Sequence, residues 1–118
     1  MPSQENHAIS THVLDNERGL PAPGVRVTLE RLDGDSFVTL TDLLTDADGR
    51  IVNLLSPFEL EAATYQVSWD AGSFYKLKGG ESPFVRIVSV VFEVTDTGRH
   101  YHIPLLMTRF ACTTYRGS

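Results

Sequence analysis

Two histidines, His100 and His102, stand two apart in "HYHIPLL". On a regular strand that spacing puts both on one face, where a neutral imidazole can act as general base or proton shuttle. Such a pair can also hold a metal. No third ligand stands at a telling spacing and no cysteine-containing zinc pattern is present, so no metal site is expected. His12 interrupts an apolar run in "ISTHVLD" and shares a strand face with Ser10 and Leu14. Arg50 follows the Asp-Gly pair of "DADGR", a position from which its rigid fork of donors can orient a carbonyl-rich ligand. The ending "TTYRGS" adds a phenol, a second guanidinium, a glycine and a hydroxyl in Tyr115, Arg116, Gly117 and Ser118. There is no Ser-His-Asp triad, phosphate loop or dinucleotide fingerprint. Residue types alone leave open whether these groups are catalytic or simply solvated, and they name no reaction.

The elements that must position these groups are strands. "GVRVTLERL" alternates, with Val25, Val27 and Leu29 on one face and Arg26, Thr28 and Glu30 on the other. "ATYQVSW" repeats the pattern, and "HYHIPLLM" puts Tyr101, Ile103, Leu105 and Met107 on one face. "FVRIVSVVFEV" is rich in β-branched and aromatic residues and reads as a strongly buried strand. Turn residues separate these runs in "LPAPG", "DADGR", "LSPFE" and "TDTGR". Only "DAGSFYKLKGG" suits a helix, over Ala71 to Lys78, with Gly79 and Gly80 ending it. About eight short strands and one short helix predict an all-β antiparallel sandwich. Pro104 lacks a ladder donor and predicts an edge or a bulge in its strand.

The chain of 118 residues suits a single domain, 1–118, with residues 1–8 as a mobile tail. A net charge of -5 argues against nucleic acid or an anionic membrane as partner, since both call for clustered cations. No run is long and apolar enough to span a bilayer. The opening "MPSQENHAIS" has no basic stretch followed by an apolar run, so no secretory signal is expected and the expected location is cytoplasmic. The one cysteine, Cys112, has no thiol to pair with and is expected to be a small core residue.

Taken together, "STHVLD", "ERGLPAPGVRVTLERL", "TDADGR", "HYHIPLL" and the terminal "YRGS", in that order, resemble the transthyretin-related proteins that are 5-hydroxyisourate hydrolases. The resemblance runs from about Ile9 to Ser118. It implies a transthyretin-like sandwich of two four-stranded sheets with one short helix, assembled as a homotetramer, a dimer of dimers with sites in a channel between the dimers. The implied reaction uses no cofactor. Water attacks a ring carbonyl of 5-hydroxyisourate and the ring opens to 2-oxo-4-hydroxy-4-carboxy-5-ureidoimidazoline. Carried over residue by residue, the resemblance implies catalytic roles for His12, Arg50, His102, Tyr115 and Ser118. It implies substrate contacts from His12, Arg50, Tyr115 and Arg116, with the terminal carboxylate brought inward by the freedom of Gly117. The competing expectation is a small-molecule carrier of the transthyretin type. Vertebrate transthyretin, similar in fold, has lysine, glutamate and threonine where this chain has His12, Arg50 and His102, and it lacks "YRGS". One departure from the family pattern is "MTRFACTTYRGS", where a Ser-Pro-aromatic stretch is more usual; it changes how the loop approaches the ending.

Overall fold

Alternating runs become two stacked sheets in the computed structural model, which describes residues 8–118. In chain order the elements are β1 (Ile9–Asp15), β2 (Leu20–Pro21), β3 (Arg26–Asp33), β4 (Ser36–Leu44), β5 (Arg50–Ile51), β6 (Ala63–Asp70), α1 (Ala71–Lys78), β7 (Ile87–Val94), β8 (Tyr101–Met107) and β9 (Cys112–Thr114). One sheet has the order β4-β3-β6-β7. The other has the order β2-β1-β8-β9, with the two-residue β5 paired to β1 as a fifth member. Every pairing is antiparallel except β1 with β8, which run parallel with Ser10 opposite His102 and His12 opposite Pro104. Of the expected tail, residues 1–7 lie outside the described residues. Ala8 is held, its carbonyl accepting from the Tyr101 amide at 2.7 Å.

Helix α1 forms where the turn chemistry predicts it. Asp70 caps it, accepting from the Ser73 amide at 3.1 Å and the Ser73 hydroxyl at 2.8 Å. Lys76 and Lys78 occupy the last turn, where cations suit the exposed carbonyls, and Gly79 leaves the helix at φ 75°.

Between the sheets, Leu29, Val67 and Trp69 pack against Ile9, Val13, Leu105 and Met107, all fully buried. One polar link crosses this core. The Trp69 indole donates to Thr11 Oγ1 at 3.1 Å, and the Thr11 hydroxyl donates to the Ile103 carbonyl at 2.7 Å. It joins β6 of one sheet to the parallel β1–β8 pair of the other.

Two expectations are corrected. The run "FVRIVSVVFEV" is not strongly buried. Its strand β7 lies at a sheet edge, paired only with β6, and alternates between half-buried Val88, Val90 and Phe92 and exposed Ile87, Ser89, Val91 and Glu93. β-branched composition reports a fit to a pleated surface, not coverage of both faces. Pro104 is not on an edge strand, because β8 lies between β1 and β9. Its missing donor falls where the ladder to the final segment is interrupted. That ladder stops at Thr114, opposite Leu105, and resumes at Gly117, opposite His102.

The unusual "MTRFACT" segment has its own anchor. Arg109 pairs with Glu17, donates from Nε to the Glu81 carbonyl at 2.7 Å, reaches the Gly79 carbonyl, and lies 5.0 Å from the Tyr75 ring centroid. The loop before β9 is thereby tied to the end of α1. Cys112 follows it, half-buried against the core, and burial pushes its thiol pKa up.

Thr11→Val keeps the shape and removes the hydroxyl, leaving a buried indole N–H without an acceptor. Urea unfolding at fixed protein concentration is expected to show a loss of about 1–3 kcal/mol with an unchanged m-value.

Candidate active site

The turn after β4 carries the chain from one sheet to the other and delivers Arg50 beside β1. Asp46 organises it: Oδ1 accepts from the amides of Asp48 and Arg50, both at 2.9 Å. Gly49, at φ 74°, lies so close to β1 that a Cβ there would be 2.5 Å from the Val13 carbonyl oxygen. Only glycine permits that approach. It brings β5 into register with β1, Arg50 opposite His12. The same turn supplies a carbonyl to His12: Nε2 lies 3.0 Å from the Asp48 oxygen. A carbonyl only accepts, so Nε2 carries the proton, and Nδ1 is the lone-pair nitrogen of neutral His12.

His102 is half-buried on β8, one strand away. Its Nδ1 is 2.8 Å from the Ser10 hydroxyl, a contact set by the parallel register. The opposite edge of the ring meets the final segment. The Gly117 amide donates to the His102 carbonyl at 2.7 Å, and a Cβ on Gly117 would come within 2.8 Å of His102 Cδ2. A cavity of about 500 Å³ opens in front of these groups, lined by Ser10, Thr11, Arg50, Val52, His100, His102 and Ser118.

The electrostatics favour a neutral His102. Burial lowers its pKa below the ordinary 6.5, and the nearby His12 and Arg50 lower it further. The arrangement thus offers a base at physiological pH beside a permanent cation, suited to stabilising an oxygen that becomes negative. Among the described residues, no cluster of three or more His, Cys, Asp or Glu side chains is placed to hold a metal ion.

Of the residues singled out in sequence, His102, Arg50 and Ser118 line this cavity, and His12 is the cross-strand partner of Arg50. Arg116 turns elsewhere. It donates to the His100 carbonyl at 3.2 Å and lies 4.5 Å from the Tyr101 ring centroid. Tyr115 is 54% exposed and lines a separate, mostly apolar groove of about 160 Å³ with Val90, Phe92 and Ile103. Ser10, Asp46 and the Asp48 carbonyl were not singled out. Asp46 was findable, since Asp before an Asp-Gly pair is a turn-forming residue. Ser10 was visible as a face-mate of His12, but its meeting with His102 depends on the pairing of distant strands.

The HIUase/Transthyretin family model matches residues 9–117. The 5-hydroxyisourate hydrolase of Deinococcus radiodurans is 41% identical over 113 residues, covering 93% of this chain and 95% of that one. The structure of Klebsiella pneumoniae 5-hydroxyisourate hydrolase is 34% identical, with a TM-score of 0.80 over 93% of this chain and 97% of that chain. The transthyretin of Sparus aurata has a TM-score of 0.88 at 28% identity, covering 95% and 97% respectively.

The lowered His102 pKa has a defined sign. Its unfolded-state imidazole takes up a proton near pH 6.5 and the folded one only at lower pH. Stability is therefore unaffected above that point and falls as pH drops through the interval below it. NMR titration is expected to place the His102 midpoint below about 6.5, and Arg50→Gln, which removes one cation, is expected to move it upward.

Proposed function

Since this chain belongs to the HIUase/Transthyretin family, we propose how its sandwich carries out the hydrolysis its relatives are named for. The protein is a hydrolase that opens the ring of 5-hydroxyisourate, a step of urate degradation. The product is 2-oxo-4-hydroxy-4-carboxy-5-ureidoimidazoline. The observation that carries the site assignment is the convergence of Arg50, His102 and Ser118 on one cavity, with His12 opposite Arg50 in register and His102 biased toward its neutral form.

In this mechanism a water adds to a ring carbonyl while a neutral histidine takes its proton. The carbonyl oxygen becomes an oxyanion, and the Arg50 guanidinium donates to it. The ring C–N bond then breaks, the departing nitrogen recovers the proton from the imidazolium, and a carboxylate remains. Ser118 forms the cavity wall on the side of the final segment. Arg116 holds that segment through the His100 carbonyl and the Tyr101 ring, so its contribution is to the shape of the site. The chemistry needs no cofactor beyond water.

The assembly we propose is a homotetramer of single-domain subunits spanning residues 1–118. Two features support it. The edge strand β7 exposes Ile87 and Val91 by about half their surface, and the adjacent apolar groove, which includes Tyr115, is open in the single chain. An uncovered edge with an apolar face calls for a partner strand. Tyr115 would then act at a subunit boundary. We place the protein in the cytoplasm. Among the described residues, no helix is long and apolar enough to cross a membrane.

Backbone likeness does not separate this enzyme from a transthyretin-type carrier, because both classes superpose well on this chain. The side chains separate them. A carrier has no use for an imidazole kept neutral beside a guanidinium.

Ultraviolet absorbance follows 5-hydroxyisourate generated in the cuvette by urate oxidase. The wild type is expected to speed its loss, and His12→Asn and His102→Asn are each expected to lower the rate by about 10²–10⁴-fold with assembly intact by gel filtration. Gly117→Ala places a methyl against the His102 ring, and it is expected to reduce turnover with little change in thermal stability. A wild type that leaves the decay untouched would return the fold to ligand carriage.

A further inference from the structure

We propose that Ser10 is a positioning residue for this hydrolysis: its hydroxyl accepts a hydrogen bond from Nδ1–H of His102 and so leaves Nε2 as the nitrogen that exchanges protons in the cavity. The inference rests on His102 being the acid–base group of the site. Three observations carry it. Ser10 Oγ and His102 Nδ1 are 2.8 Å apart, across strands that pair these two residues in register. The neighbouring Thr11, facing the core, is bonded to the Ile103 carbonyl and to Trp69, so Ser10 cannot slide along β8. The other edge of the imidazole is pressed on Gly117, where no Cβ fits beside Cδ2. A half-turn of the ring would exchange Nδ1 and Cδ2 and lose the Ser10 bond. The ring therefore has one favoured orientation, and Nε2 is its only nitrogen left to face substrate.

The direction of the hydrogen bond follows from the proton inventory of the reaction. When Nε2 takes a proton from the attacking water, both ring nitrogens carry hydrogen, and Ser10 can then only accept. A serine already accepting in the resting state needs no rearrangement as the imidazolium forms, and its lone pair stabilises the new charge. The proton on Nε2 then passes to the departing ring nitrogen, and the neutral Nδ1–H form is restored. The nearby Arg50 charge disfavours a second proton on the ring at rest, so the neutral form is the one that meets substrate. His12 differs: its Nε2 is committed to a backbone carbonyl, which fixes its proton on that nitrogen.

The test uses Ser10→Ala and Ser10→Thr in the full chain, with two readouts. Two-bond ¹H–¹⁵N spectra of the imidazoles report which nitrogen of His102 carries the proton, independently of turnover. Decay of 5-hydroxyisourate gives kcat and KM. The wild type is expected to show Nδ1–H. Ser10→Ala is expected to mix the two neutral forms and lower kcat about tenfold with little change in KM, and Ser10→Thr to restore both signatures. A wild type protonated on Nε2, or a Ser10→Ala variant with unchanged kcat and unchanged tautomer, would overturn the proposal. Absence of turnover in a wild type that carries Nδ1–H would instead defeat the hydrolase reading while upholding the Ser10–His102 contact.

Discussion

One buried hydroxyl fixes the alignment on which the site is built. Thr11 accepts from the Trp69 indole across the core and donates to the Ile103 carbonyl across the parallel pair. Both partners are buried, so each would lose most of a hydrogen bond if the hydroxyl moved away. A slip of β1 by one residue along β8 would turn the apolar face of β1 outward as well. The consequence falls on the residues on either side of Thr11, which point the other way. Ser10 meets His102, and His12 meets Arg50, because the residue between them is anchored in the core.

The two histidines are equipped differently by this frame. His12 is held by a backbone carbonyl, which dictates where its proton sits, and it lies at the cation's side. His102 is held at Nδ1 by the Ser10 hydroxyl, across the parallel pair. Burial comes first, and the nearby His12 and Arg50 second, in keeping it uncharged. Backbone packing does the rest. Gly49 and Gly117 are the points at which main chain must pass closer than any side chain allows, one against Val13 and one against the His102 ring. The turn and the final segment thus close on the site from the two outer edges of the β1–β8 pair.

Local chemistry made much of this legible in the sequence. The Gly79-Gly80 pair ends α1 where the turn chemistry predicts, and the alternation of β3, β6 and β8 showed which side chains face the core. The role proposed for Arg50 came through likeness to a family, not through spacing. What stayed hidden was pairing. Nothing near Ser10 announces that a residue 92 positions later will bond to it, and nothing in the composition of β7 says that only one of its sides is covered. Arg109 is similar: as a departure from the family pattern it looked like a change of loop, whereas its guanidinium gathers Glu17, Gly79 and Glu81 into one junction beside Tyr75.

The order of the strands along the chain also sets a timetable. The sheet β4-β3-β6-β7 uses residues 26–94 only, so all of its partners leave the ribosome before β8 does. During that interval β1, though made first, has an unpaired edge on the side where β8 will lie. Closing so long a loop is slow compared with forming hairpins. Ser10 and His102 come from the two ends of this loop, so their contact forms only once β8 has joined β1. A chain interrupted before β8 would hold every strand of the β4-β3-β6-β7 sheet and lack the parallel pair that brings Ser10 to His102.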